Sequence, residues 1–334
     1  MGTGSDDLRG RITGSVLALS SQTPGTEVDL RARGAAAWRT DLARLHRAGF
    51  RAVDIIDGWL PVPLLSAAEL ADLGGALVDA GLTARGLNVS RRSVLDPELG
   101  ERNVEYSMRA VDSAAALGLP LVSIGLHPRL RPDQKGVLWF WEVPSTPDDT
   151  SEATWELAAS RIRAVCAHAA TRGIEVSLEL YEDTLVRTGS DIARLMERVG
   201  AGNLGVNPDL GNTYRSATPQ HEHWLATLRG AIPHMDYWHL KNYTRSTLGP
   251  DGPFAVSPTA LGEGDIDYRL AVGEALRGGY QGPFVVEHYG GDALDIQRRG
   301  REYLERLLDE LAEDLAQESA APDSGRADES GARP

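Results

Sequence analysis

LPLVSIGL (119–126), WELAASRIRAVCAHAATRG (155–173) and IEVSLEL (174–180) follow one another along the chain as a short apolar run, a long amphipathic stretch and a second short apolar run. The first and last have strand length and β-branched content, while the middle segment repeats its apolar residues at helical period. A strand, a covering helix and a second strand form a βαβ unit, whose right-handed crossover makes the two strands parallel.

Working outward, the unit recurs. Upstream lie ITGSVLAL (12–19) with AAAWRTDLARLHRAG (35–49), FRAVDII (50–56) with SAAELADLGGALVDAG (66–81), and LTARGLNV (82–89) with NVEYSMRAVDSAAALG (103–118). Downstream, SDIARLMERVG (190–200) follows the strand 174–180, then LGVNPD (204–209) pairs with HEHWLATLRGAI (221–232) and MDYWHLKN (235–242) with DYRLAVGEALRGG (267–279). PFVVEHY (283–289) with DIQRRGREYLERLLDELAEDL (295–315) completes eight strand–helix units. Eight such units predict an α/β chain closed into a single-domain (β/α)8 TIM barrel over 11–316. No GxGxxG follows the first strand, which weakens the alternative of a doubly wound dinucleotide-binding sheet. Gly49, Gly81, Gly118, Gly173 and Gly202 stand where helix C-caps lead into strands. Residues 1–10 and the polar, aperiodic 317–334 are expected to be disordered. The long connections 127–150 and 243–265 are candidate lids over the mouth.

Composition narrows the function. The 334 residues are 42% hydrophobic, enough for a substantial core, and carry a net charge of −14, which repels phosphate backbones. Nucleic-acid and anionic-membrane partners are not expected, and small neutral or cationic substrates fit the overall charge better. A single cysteine, Cys166, excludes an intramolecular disulfide and a cysteine metal cluster. No basic-then-apolar leader and no membrane-length apolar run is present, so a cytoplasmic protein is expected.

Four strand ends carry the chemistry. IEVSLEL places Glu179, LGVNPD ends on Asp209, YWHLK carries His239 and PFVVE ends on Glu287. In a barrel the C-terminal strand ends share one mouth, so these side chains converge. Alternation along the strand puts Ser177 and Tyr181 on the side of Glu179, and Lys241 on that of His239. Three carboxylates and one imidazole form a hard, oxygen-rich set for one divalent ion, suited to Mn²⁺ or Mg²⁺, tolerant of Co²⁺, and less typical of Zn²⁺. Each residue has an ordinary structural alternative: Glu179 and Asp209 as helix caps, His239 as a core histidine, Glu287 as an arginine partner. Four strand ends of matching chemistry favour the metal set.

On these residues, SLELYED, NPDLGN, YWHLKN, GEGDIDY (262–268) and VVEHYG, the second half resembles the sugar phosphate isomerase/epimerase superfamily, the xylose-isomerase-like barrels. The resemblance implies Glu179, Asp209, His239 and Glu287 as ligands of one metal, usually Mn²⁺, with Glu179 and Glu287 as acid and base on opposite faces of a substrate. Where many sugar-acting members carry a histidine that helps hold substrate three residues after the aspartate, this chain has Asn212, a substrate-binding candidate; Arg245 stands where several epimerases place a substrate-binding arginine. The acidic charge argues against the DNA-binding endonuclease IV branch.

Other residues are weighed by position. His127 closes the fourth strand and starts a long loop, where a base or acid would face the mouth, and Lys241 is a further catalytic candidate. Trp139, Phe140 and Trp141 in that loop are candidates to cover a substrate, with Trp139 and Trp141 as binding residues. Glu182 is a candidate partner of the metal ligands and Trp59 a candidate pocket wall, whereas His168, His221 and His223 read as structural. The expected function is therefore a metal-dependent isomerase, epimerase or lyase that removes a proton next to the carbonyl of a sugar or polyol through an enediolate. Asn212, His127 and the aromatic loop tilt the reading toward lyase members, either inosose dehydratase-like or akin to the catalytic subunits of C-glycoside deglycosidases, which cleave oxidised 3-keto glycosides with a small partner subunit. The reading of another class is a non-catalytic, metal-stabilised binding barrel. Homo-oligomerisation is expected.

Overall fold

The structure is a computed structural model that describes residues 4–20, 26, 28–216, 221–247 and 254–320. Its strands are β1 (Ile12–Ser15), β2 (Ala52–Ile56), β3 (Thr83–Asn88), β4 (Leu121–Gly125), β5 (Glu175–Glu179), β6 (Leu204–Asn207), β7 (Trp238–Leu240), β8 (Asn242–Thr247), β9 (Phe254–Thr259) and β10 (Phe284–Val286). Eight of them lie side by side in the order β6-β5-β4-β3-β2-β1-β10-β7, every pairing parallel, with a Val206–Met235 bridge between the two ends. This is the expected eight-stranded TIM barrel. The helices lie outside because each carries one apolar face: Trp38, Leu42 and Leu45 of helix Ala35–Arg47 are buried, as are Ile192, Leu195 and Val199 of helix Gly189–Val199. Local chemistry sets their ends. A Ser66–Glu69 capping box starts helix Ala67–Asp79, and Gly200, at φ 61°, ends Gly189–Val199 in the left-handed conformation a side chain disfavours.

Several boundaries differ from the expectation. The first strand ends at Ser15, whose Oγ accepts the Leu17 amide at 3.2 Å and turns Val16–Leu19 into a 3₁₀ helix. Gly200, not Gly202, caps the fifth barrel helix. The opening ten residues are not wholly unstructured: Ser5–Arg9 is a helix with Leu8 fully buried, tied to Asp309 by Arg9 and Ser5. The last helix runs Ala293–Ala320, past the expected boundary at 316, with Leu304, Leu307, Leu308 and Leu311 buried and an exposed Arg277–Glu318 pair at 2.8 Å near its end. The remainder of the expected tail, 321–334, lies outside the described residues.

The two long connections fold over the barrel mouth and meet. Within the first, Pro132–Lys135 is helical and Phe140–Glu142 a 3₁₀ turn; within the second, β8 and β9 form an antiparallel hairpin. Phe140 and Trp141 pack with Tyr243, Val256 and Tyr289, and the Trp141 indole donates to the Val256 carbonyl at 3.1 Å. Burying these rings costs the loops their independence and gains a shared apolar cover.

Candidate metal centre and the cavity beside it

Glu179 is the last residue of β5, Asp209 lies two past β6, His239 is in the middle of β7 and Glu287 directly follows β10. One ligand atom from each lies within 4.8 Å of every other, and all four residues are buried. His239 Nδ1 is 3.4 Å from Glu179 Oε1 and 3.9 Å from both Asp209 Oδ2 and Glu287 Oε2. Lys241, on the same side of its strand, sets its ammonium 2.8 Å from Asp209 Oδ2 and pairs with Glu287. Of the structural alternatives, the helix cap at Asp209 is realised together with the cluster, its Oδ1 accepting the Asn212 amide at 3.0 Å at the start of helix Leu210–Tyr214, while Glu287 pairs with Lys241 rather than with an arginine.

Side-chain amides orient Glu179. Asn88 Nδ2 donates to its Oε2 at 2.6 Å and Asn212 Nδ2 to its Oε1 at 2.9 Å, so Asn212 holds a ligand rather than facing open space. Behind His239 lies Asp54, a fully buried carboxylate on β2 whose Oδ2 is 3.3 Å from His239 Nε2 and whose Oδ1 accepts the Tyr237 hydroxyl at 2.8 Å. Gly86 leaves room for that pair: a Cβ there would stand 2.8 Å from the Tyr237 oxygen.

Charge is the dominant property of this centre. Four buried carboxylates share it with one ammonium and one imidazole. Burial pushes Asp209 up to about 7, with Lys241 opposing and Glu179 and Glu287 adding to the rise. Burial also raises Asp54. For Glu179 burial acts upward too, but His239, Lys241 and Asn88 outweigh it and hold the carboxyl well below its usual range. Burial lowers His239, yet Glu179, Asp54 and Glu287 prevail and raise it well above the usual imidazole value. Such an anionic excess in a dry space calls for a cation. Both ring nitrogens of His239 are buried without a hydrogen bond, and Nδ1 faces the three carboxylates, where its lone pair would meet a metal. The residues present therefore fit a divalent ion held by Glu179, Asp209, His239 and Glu287.

A cavity of about 260 Å³ opens beside the centre, its lining including Asn88, Arg91, Tyr181, Glu287 and Tyr289 as well as Asp57 and Arg92. Glu287 is the one member of the ligand set on its wall.

The remaining sequence candidates lie elsewhere. His127 is buried between Phe140 and Tyr181, its Nε2 3.9 Å from Glu182; burial lowers its pKa against the pull of Glu182. Glu182 does not touch the metal ligands. Arg215, fully buried, bonds both its oxygens at 3.1 to 3.2 Å and lies under Trp141, Phe140 and Tyr289. Burial would raise Glu182, but Arg215 and His127 hold it at about 2. Trp141 is a packing residue of the lid, with Trp139 stacked on it at 5.3 Å, and neither is among the residues lining the cavity. Arg245, on β8, donates to the Ser216 carbonyl at 3.2 Å, also away from that wall. Trp59 is buried with its indole on Asp41, His168 pairs with Asp112, His221 meets Arg187, and His223 caps helix Trp224–Ala231.

Residues the sequence reading passed over are Asp54, Asn88, Arg91 and Tyr289. Asp54 had a signal: a carboxylate inside the apolar FRAVDII must find a partner when buried. Asn88 also had one, as the polar residue ending its strand. Arg91 and Tyr289 stand in connections, where period and alternation carry no information.

Residues 42–307 match the family described as the xylose isomerase-like TIM barrel. A xylose isomerase-like TIM barrel protein from Mycobacterium smegmatis, crystallised in complex with magnesium, is 33% identical with a TM-score of 0.81, over 90% of this chain and 97% of that one. L-ribulose 3-epimerase shares the fold at 16% identity and a TM-score of 0.66, over 94% of this chain and 99% of its own. An inosose dehydratase of Yersinia enterocolitica is 29% identical over 146 residues, 41% of this chain and 48% of that protein, so the chain spans about half the length of the curated relative it matches. Eight parallel strands, strand-end residues in one mouth and a family match over most of the barrel agree: the chain belongs to the xylose isomerase-like TIM barrel family.

Proposed function

We propose that this protein is a divalent-metal-dependent isomerase, epimerase or lyase that moves a proton next to the carbonyl of a sugar or polyol. The observation that carries the reading is the division of labour between two buried carboxylates. Glu179 has both oxygens engaged by Asn88 and Asn212, whereas Glu287 has Lys241 behind it and the cavity in front. Glu287 is therefore the base, and Glu179 a fixed ligand that neutralises charge. A divalent ion, Mg²⁺ or Mn²⁺ by the donor set, supplies Lewis-acid polarisation of the substrate carbonyl and acidifies the neighbouring C–H. Glu287 takes that proton. The Lys241 ammonium, between Asp209 and Glu287, stabilises the resulting charge and can return a proton.

Returning the proton to carbon gives an epimer or isomer; loss of a hydroxyl from the next carbon, with a proton, releases water and gives a dehydrated product. The dehydratase outcome is favoured over cleavage of a bulky aromatic glycoside. At about 260 Å³ the cavity is small beside the roughly 300–1,000 Å³ of typical ligand pockets, and the aromatic residues of the first lid loop are spent on Arg215 and on one another. The relationship to an inosose dehydratase supports the same outcome.

The test is solvent deuterium incorporation into ketoses and an inosose by protein loaded with Mg²⁺ or Mn²⁺. Exchange at carbon next to the carbonyl, lost in Glu287→Gln, is expected. Absence of exchange and of turnover in both substrate classes, with metal bound stoichiometrically, leaves the metal-stabilised binding barrel as the better reading.

A further inference from the structure

We propose that the substrate carries a carboxylate at the end remote from the reacting carbonyl, and that Arg91 is the residue that seats it. This deepens the reading above and rests on it: the metal-ligand cluster is taken as the end where chemistry occurs.

Four charged side chains line the cavity, and three are balanced. Arg92 lies 3.0 Å from Asp57, which settles both of them, and Glu287 pairs with Lys241. Arg91, an exposed residue of the lining, alone has no carboxylate within 4.0 Å among the described residues. Its position is not accidental to the mouth, because it follows the C-terminal end of β3 by three residues. One nitrogen, Nη2, donates to the Tyr289 hydroxyl at 2.6 Å, and the guanidinium lies 4.8 Å over the Phe140 ring. Those contacts fix the plane of the fork without neutralising it. An arginine so held keeps its remaining N–H groups for a planar, bidentate acceptor, the geometry of a carboxylate.

Tyr289 lies close to both cations. Its ring has the Lys241 ammonium 5.2 Å from its centroid and the Arg91 guanidinium 5.8 Å from it. In the proposed pose a small molecule whose carbonyl end meets Glu287 has its other end at Arg91, both residues lining the cavity together with Tyr289. The chain's charge of −14 pointed to neutral or cationic substrates, but a net charge averages over the surface, while selectivity is decided by the unbalanced charge inside the cavity.

Calorimetric titration of the Mg²⁺-loaded protein with two matched pairs tests this: D-fructose against D-fructuronate, and D-tagatose against D-tagaturonate. At least one keto-uronate is expected to bind tenfold or more tightly than its neutral partner. Arg91→Gln is expected to bring it down to that partner's level, and Arg91→Lys to recover part of the difference, with metal stoichiometry as the control for folding. Equal affinities within both pairs, or a preference that survives Arg91→Gln, overturns the assignment while leaving the sugar reading intact. Tighter binding of D-fructose 6-phosphate than of D-fructuronate also overturns it, in favour of a phosphate. If none of these sugars binds although the metal does, the Arg91 assignment falls and the ketose reading with it, and the cyclic polyol reading is decided by the deuterium exchange with an inosose.

Discussion

His239 Nε2 lies 3.3 Å from Asp54 Oδ2, while the other ring nitrogen, Nδ1, faces Glu179, Asp209 and Glu287. That placement puts Asp54 where it would favour a proton on Nε2 once a metal takes the Nδ1 lone pair. Asp54→Asn is expected to keep the barrel folded and to weaken divalent-metal affinity by about 10–100-fold, the range for such supporting carboxylates. Calorimetric titration with Mn²⁺ checks this; unchanged affinity would remove Asp54 from the metal centre.

Removing the metal should cost stability, because three buried carboxylates then face one another with Lys241 as their main relief. Bound metal at 100 times its Kd contributes about 2.7 kcal/mol. Chelation is therefore expected to lower Tm by several degrees, and Mn²⁺ or Mg²⁺ to restore it. His239→Gln should abolish that response, and a metal-insensitive melting curve for the unaltered protein would contradict the proposed centre.

Arg215 holds the lid rather than a substrate. It is fully buried, with Glu182 on one side and a wall of aromatic rings on the other. Arg215→Met leaves the Glu182 carboxylate buried with only His127 near it, a change that typically costs about 3–5 kcal/mol. Urea denaturation should show a loss of that order, and Glu182→Gln combined with Arg215→Met should recover part of it. An Arg215→Met protein as stable as its parent would show that the pair contributes nothing.

Asp236 gives the fold a pH dependence away from the metal. It precedes β7, at the opposite end of the barrel, and accepts the Ser177 hydroxyl at 2.6 Å. Burial pushes its carboxyl up to about 7. The folded state thus favours the protonated form: the stability this group contributes is complete below its unfolded pKa near 4 and is lost as pH rises through about 7. Asp236→Asn should remove that decline, gaining on the order of 2–4 kcal/mol over the parent at pH 8 and little at pH 4. Denaturation midpoints for both proteins across this range are the measurement, and parallel pH profiles would refute it.

Much of the architecture was legible in the chain because it depends on local regularities. Alternation of short β-branched runs with helical periods is a property of neighbours in sequence, and it placed all eight barrel strands; the strand of 174–180 ends at Glu179 as read. The cluster of Glu179, Asp209, His239 and Glu287 was legible for a related reason, since a parallel barrel sends every C-terminal strand end to one mouth whatever the loops do. The first strand's early end at Ser15 and the β8–β9 hairpin were not, because a single side-chain-to-amide bond and a lid contact decided them.

The sequence by itself therefore determined the barrel and the four residues of the centre, both consequences of period and strand polarity. Only the tertiary structure decided that Asp54 stands behind His239, that Asn88 and Asn212 fix Glu179, that Trp141 and Arg215 lock the lid, and that Arg91 remains unbalanced at the cavity wall. Each of those depends on which charges and hydrogen-bond donors from distant segments meet; all but the exposed Arg91 meet in a dry space, where an unmatched group costs most, and no pattern along the chain records that pairing.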